Sequence, residues 1–280
     1  MSFNILKARS DRQSGPWDAR KQSVAGAVQA FGPDLLGAQE VQSFQADYLR
    51  GELRGYGFVS AGRNNGMFAG ESVAILFRSE RFEKLDEGHF WLSKRPEVPG
   101  SRNWGSVVPR MVSWVHLRDG ARDRRLFLFN VHFDPLSWRA RMRSVWVLRQ
   151  QIVRLAGRSP VIVTGDFNTQ AGSKTHATVL VGMSDGGLEL IDAYRSAHPQ
   201  KERYEGTWHG PSGRRRRRRI DWILHTRHFS TVRCEIDRDR RSGRYPSDHF
   251  PVTAVLGWQH GGAASGNPHK GPLDGIADSD

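Results

Sequence analysis

The stretch that most constrains this chain is residues 160–168, "PVIVTGDFN". The run Val161-Ile162-Val163-Thr164 favours an extended strand with both faces covered, and Gly165 ends it. A carboxylate and an amide, Asp166 and Asn168, stand at that end. The pattern recurs along the chain. Asn4 lies within "SFNIL", Glu40 ends "DLLGAQE" and Glu71 precedes "SVAILFR". His132 lies in "RRLFLFNVHF", Asp221 interrupts "RIDWIL", and Asp248 and His249 precede "FPVTAVL". Any one of these has an ordinary reading as a turn former or local backbone acceptor. Buried charge is costly unless it is paired or bound to a cation, so the whole set needs a common partner.

Between the strands lie a few helices. "WDARKQSVAGAVQAF" spaces Trp17, Val24, Val28 and Phe31 as a helix does, and Gly32-Pro33 closes it. "SFQADYLRGEL" predicts a short helix. Residues 138–156 predict a longer one, with Met142, Val145, Trp146, Val153 and Leu155 on one face and arginines on the other. A further short helix is expected from Thr175 to Gly182. Strands are expected at "GFVSAG", "SVAILFR", "FEKLDEGHFWL", "MVSWVHLR", "TVRCEI" and "PVTAVLGW". The order is neither strict βαβ nor all-β, and two packed sheets with helices on their outer faces account for it. Residues 1–258 are expected to form one domain. The Gly/Ala/Ser/Asp-rich residues 259–280 are expected to be a disordered tail.

Composition narrows the chemistry. Cys234 is the single cysteine, which excludes an internal disulfide and a zinc site built of thiolates. No apolar run approaches the roughly 20 residues of a membrane span. The N-terminus lacks the apolar stretch of a signal peptide, so a cytoplasmic protein is expected, or a secreted one if the true start lies upstream. The net charge of +13 attracts polyanions, whether nucleic acid, anionic lipid or phosphorylated small molecules. Hard carboxylate and amide oxygens suit magnesium, with manganese as the alternative. Histidines beside carboxylates suit general-base work. Metal-assisted attack of water on a phosphate ester follows as the hypothesis.

At this point the motifs resemble a known group. "SFNIL", "GAQEV", "NVHF", "TGDFN", "RIDWIL" and "YPSDHFPV" occur in the order they take in the endonuclease/exonuclease/phosphatase superfamily. That superfamily includes deoxyribonucleases, abasic-site endonucleases, sphingomyelinases and inositol polyphosphate phosphatases. "HFWLS" and "PGSRNWGSVVPR" are most similar to an uncharacterised bacterial branch of it. The resemblance implies an α/β fold, a four-layer sandwich of two mostly antiparallel sheets flanked by helices, with the site at one end. It implies that Glu40, helped by Asn4 and Asp248, binds Mg2+. It implies that His249 is the general base, oriented by Asp221, and that Asp166 orients the nucleophile or shares in proton transfer. Asn168 and His132 would donate to the phosphoryl group, Glu71 would pair with His132, and Arg110 would clamp phosphate. Lys7 departs from the pattern, because bacterial relatives usually carry an acid just after "FNIL".

Other features have two readings. The run Arg214 to Arg219 is either a solvated arm or a polyanion clamp beside Asp221. Trp91, Trp114, Trp146 and Trp222 read as core, whereas Trp104, Trp138 and Trp208 are candidates for substrate walls. His89, His116, His209 and His225 read as ordinary, and Cys234 as buried filler. A monomeric phosphohydrolase is expected, with nucleic acid slightly favoured over a small metabolite or lipid headgroup. The alternative of another class is an inactive nucleic-acid-binding module, but such a module should show a broken motif, and Glu40, Asp166 and His249 are all present.

Overall fold

The alternation of apolar runs and helical stretches resolves into two six-stranded sheets in the computed structural model, which describes residues 1–8, 16–181, 187–214, 216–241 and 243–259. The expected disordered tail falls, beyond Gln259, on residues 260–280, outside the described residues, as do Gly182 and Arg215.

The first sheet contains β1 (Ser2–Asn4), β2 (Leu35–Val41), β3 (Tyr56–Val59), β4 (Ser72–Arg78), β11 (Phe229–Ile236) and β12 (Val252–Trp258), in the order β11-β12-β1-β2-β4-β3. The second contains β5 (Phe82–Trp91), β6 (Met111–Asp119), β7 (Arg124–His132), β8 (Val161–Asp166), β9 (Ile191–Asp192) and β10 (Asp221–His225), in the order β5-β6-β7-β8-β10-β9. Strand pairing is antiparallel except for β1 with β2 and β7 with β8. Each parallel pair is joined through a helix, as a parallel crossover requires. The first helix is α1 (Trp17–Phe31), which stops at Gly32 in the left-handed conformation, φ 60°. The second is α3 (Trp138–Ala156), opened by the Ser137 side chain accepting from the Ala140 N–H.

Three apolar layers divide the molecule. Between the sheets, Ile75 and Phe77 of one meet Val115, Leu128, Ile162 and Ile223 of the other. The outer face of the first sheet packs on α1 and α2 (Ser43–Glu52) through Phe3, Val24, Leu36 and Leu49. The outer face of the second packs on α3 and α4 (Lys174–Val181) through Phe129, Leu148, Ile152 and Val179. The result is the expected four-layer sandwich. The sheets also touch through polar groups: Gln39 Nε2 donates to Asn130 Oδ1 at 2.7 Å. Gly37 permits this approach, since a Cβ there would lie 2.0 Å from Thr164 Oγ1.

Two expectations are corrected. The buried face of α3 is Val145, Leu148, Ile152 and Ala156, whereas Met142, Trp146, Val153 and Leu155 are only half-buried. Arg149 is buried with this face rather than set on the opposite one, and it donates to the carbonyls of Val179 (2.5 Å) and Leu188. The two-residue strand β9 and the short helix α5 (Ala193–Ala197) were not expected, because neither is long enough to show a periodicity.

Candidate active site

The parallel pairings decide where the polar strand ends meet. Parallel β7 and β8 bring His132 opposite Asp166, and antiparallel β10 brings Asp221 opposite Asp166 on the other side. Parallel β1 and β2 set Asn4 opposite Gln39, one residue before Glu40. Glu40 sits at an irregularity in β2, with φ 61°, a conformation that costs a non-glycine residue energy and clusters at functional sites. Asn168 has φ 48°, which an asparagine tolerates better than most residues.

Asn4 links the two sheets at this end. Its Nδ2 donates to Glu40 Oε1 and to Asp166 Oδ2, both at 3.1 Å. Its own carbonyl accepts from Ser247 Oγ at 2.6 Å, which ties the Asp248-His249 turn to β1. Nδ1 of His249 donates to Asp221 Oδ2 at 2.9 Å, and its Nε2 lies 3.8 Å from Asp166 Oδ2. Nε2 of His132 lies 3.5 Å from the same oxygen. The Asn168 N–H donates to Asp166 Oδ1 at 2.9 Å, and its Nδ2 to the Phe133 carbonyl at 2.9 Å. The other oxygen of Asp221, Oδ1, is buried without a hydrogen-bond partner. An orphan of that kind needs a reason, and catalysis is one.

The electrostatics follow from burial and neighbours. Burial pushes the Asp166 carboxyl up to about 7, reinforced by the charge of Asp221 and opposed by His249. Burial alone would lower His249, but Asp221 and Asp166 outweigh it and hold the imidazole well above its ordinary value. His132 goes the other way, well below, through burial and the cations Arg110 and Arg63. His132 is therefore neutral at physiological pH and His249 is charged unless the carboxylates beside it are compensated.

Three expected residues have different surroundings from those implied. Glu71 is held by Arg63, at 2.7 and 3.0 Å, and by Lys7 Nζ at 3.4 Å. Among the described residues the acid facing His132 is thus Asp166, not Glu71, although Glu71, His132, Arg63 and Arg110 line one small hollow. Arg110 is buried, 3.8 Å from Asp134, with its Nε unpartnered. Asp248 is half-buried and accepts from Trp208 Nε1 at 3.3 Å, while no hydrogen bond joins it to Asn4 or Glu40. Arg63 was not anticipated. Its only signal was a basic residue eight positions before Glu71, in a loop without a motif.

The surrounding aromatics and arginines divide as well. Trp91, Trp114 and Trp222 are core. Trp104 packs partly buried on the core, Trp138 is exposed, and Trp208 lies beside His249 in an isolated bridge. The arginine run is not uniform. Arg219 is buried and bonded to Asp192 at 2.5 and 3.2 Å, Arg216 covers the Trp208 ring at 4.4 Å, and Arg214, Arg217 and Arg218 are exposed. His209 is buried against Phe250, and burial lowers it to about 4, in keeping with a neutral structural group. Cys234 is buried and its thiol is pushed up to about 12.

One ligand atom from each of Asp166, Asp221 and His249 falls within 4.8 Å of the others, so this buried group could hold a metal ion. The orphaned Asp221 oxygen and the raised Asp166 carboxyl fit a site short of positive charge. Among the described residues no helix is long and apolar enough to cross a membrane.

The chain is similar to known proteins over most of its length. A mannosyl-6-phosphatase from Bacteroides thetaiotaomicron VPI-5482 is 30% identical, with 92% of this chain and 98% of that one covered and a TM-score of 0.81. An endonuclease/exonuclease/phosphatase from Bacteroides vulgatus is 29% identical, covering 92% and 97%, with a TM-score of 0.84. Human nocturnin is 24% identical over 263 residues, which span 84% of this chain and 57% of nocturnin. The chain spans less than three fifths of the length of the curated relatives it matches. The model of the Endonuclease/Exonuclease/phosphatase family matches residues 1–249, and the chain belongs to that family of phosphate-ester hydrolases.

Proposed function

We propose that this protein hydrolyses phosphomonoesters with the help of a divalent cation, magnesium or manganese. The observation that carries the reading is the buried Asp221–His249 pair set against Asp166, with one carboxylate oxygen left unpartnered. Glu40 and Asn4, with the carboxylates behind them, would hold the ion, which supplies positive charge against the phosphoryl oxygens and the leaving group. Once the carboxylates around it are compensated, His249 falls back toward its ordinary range and accepts the proton of the attacking water. Asp221 holds the imidazole in the tautomer that leaves Nε2 free. Asp166 orients the water. The water oxygen bonds to phosphorus as the ester P–O bond breaks, and the departing alkoxide oxygen takes a proton from solvent, to which His249 returns the one it accepted. Neutral His132 and the Asn168 amide donate to the phosphoryl oxygens without adding charge.

Preference for a terminal phosphate is supported by Arg110, buried beside His132 with its Nε unpartnered, because a dianionic monoester offers a guanidinium one more charge than a diester does. The likeness to a mannosyl-6-phosphatase points the same way. Nucleic acid is the second reading, favoured by exposed Arg214, Arg217 and Arg218 in the run that precedes Asp221. The arginine run lends it less than its length suggests, because Arg219 is committed to Asp192 and Arg216 to Trp208.

The test is hydrolysis of a phosphomonoester panel, bis-p-nitrophenyl phosphate and supercoiled plasmid in parallel, with magnesium, with EDTA, and with His249→Ala. Metal-dependent turnover of monoesters that needs His249 is expected. Plasmid nicking without monoester turnover would replace this reading with the nuclease one.

A further inference from the structure

Among the described residues, most of the apolar side chains with the greatest exposure cluster on neighbouring connections. Met67 and Phe68 are each 68% exposed, Val107 60%, Leu136 76% and Trp138 66%. Two others as exposed, Val181 and Val232, sit singly on α4 and β11. The five lie on three connections that run into the candidate active site. Residues 61–70 lead to Glu71, residues 92–109 lead to Arg110, and residues 133–138 follow His132. These connections touch one another. Trp91 Nε1 donates to the Arg63 carbonyl at 2.6 Å, and Gly66 packs against Pro99. Ser137 Oγ donates to the Trp104 carbonyl at 2.8 Å, and Ser106 Oγ to Asp134 Oδ2 at 2.7 Å.

The apolar residues are presented by ordered backbone. Asn65 Oδ1 accepts from the N–H groups of Met67 and Ala69, and Asp134 Oδ1 from those of Leu136 and Ser137. The Arg102 guanidinium binds the Val107 carbonyl. A loop braced in this way holds its hydrophobes in water at a cost, and a patch of this kind marks an interaction surface. Charge indicates the partner. Across the same connections and the first two turns of α3, Lys94, Arg95, Arg102, Arg139 and Arg143 are exposed, against the single exposed acid Glu97. Apolar side chains at loop tips, interleaved with cations, match an anionic lipid surface.

We infer that these three connections dock the protein on anionic bilayers, with Phe68, Leu136 and Trp138 entering the interface and the active site facing phosphate esters displayed there. The inference deepens the phosphohydrolase reading and rests on it for what happens after docking. Docking itself needs no turnover, so the two can fail separately.

The experiment is co-sedimentation with vesicles of phosphatidylcholine alone and of equal parts phosphatidylcholine and phosphatidylglycerol. Binding is expected to the second and not the first. Phe68→Ser/Leu136→Ser should weaken it by at least about tenfold, while hydrolysis of a soluble monoester stays unchanged. Brominated acyl chains should quench the fluorescence of the wild type more than that of Trp138→Phe. Absent binding, or binding that the double variant retains in full, overturns the inference. A concentration-dependent dimer that the double variant abolishes would assign the patch to a second copy of this chain and overturn it too.

Discussion

Two buried histidine–carboxylate pairs in this molecule have the same contact distance and opposite surroundings. His249 meets Asp221 at 2.9 Å, and His176 meets Asp192 at 2.9 Å. Asp192 is saturated. It also accepts from Arg219 through both oxygens and from the N–H groups of Tyr194 and Arg195, which it caps as the start of α5. Burial alone would raise its carboxyl, but His176 and Arg219 outweigh that and hold it well below the ordinary carboxylate range. Asp221 has one oxygen on His249 and the other on nothing, and the nearest further charge is another acid, Asp166. The protein has therefore completed one pair and left the other short of positive charge. The contact itself does not separate a structural pair from a catalytic one. What separates them is whether the protein supplies the rest of the partners.

The contrast can be broken from either side. His249→Ala should lower metal-dependent turnover by about 10²–10⁴-fold, the range for losing a general base, and should also lower the urea midpoint, because it leaves the buried Asp221 carboxylate without its partner. A large loss of stability with turnover preserved would reverse the assignment of the two pairs. Arg219→Met strips the cation from Asp192 and should cost about 3–5 kcal/mol in urea unfolding at neutral pH. The pH dependence sharpens this. A carboxyl depressed on folding contributes stability above its unfolded value of about 3.9, and that contribution is lost as pH falls through the folded value. The gap between wild type and Arg219→Met should thus be widest at neutral pH and close in acid. A gap independent of pH would mean that Arg219 acts by packing on Tyr194, 4.8 Å away, and not by charge. The smallest effect is expected from His176→Ala, about 1–3 kcal/mol of stability with turnover little changed, since Arg219 and two N–H groups still hold Asp192.

Much of this was legible locally. The limits of α3 follow from Ser137 before it and Gly157 after it, which are chemical signals a few residues long. Its buried face was not legible, because apolar and basic residues alternate around the helix and what covers it is the surface of the second sheet. Arg149, expected on the arginine-rich face, is instead buried and donates to the Val179 and Leu188 carbonyls. The arginine run shows the same limit. Six like residues in a row have one local description, yet Arg219 enters the core while Arg217 and Arg218 stay outside.

The site divides along that line. Apolar runs of limited length, each ended by a polar residue, determined by sequence alone that Asn4, Glu40, His132, Asp166, Asp221 and His249 would stand at strand ends. Strand formation and its termination depend on neighbours within a few positions. The tertiary structure alone decided which groups meet. Register put His132 and Asp221 on either side of Asp166, while Arg63 and Lys7 took Glu71 away from the histidine expected to use it. Partnerships between groups far apart in the chain depend on how two sheets stack, and no local pattern carries that information.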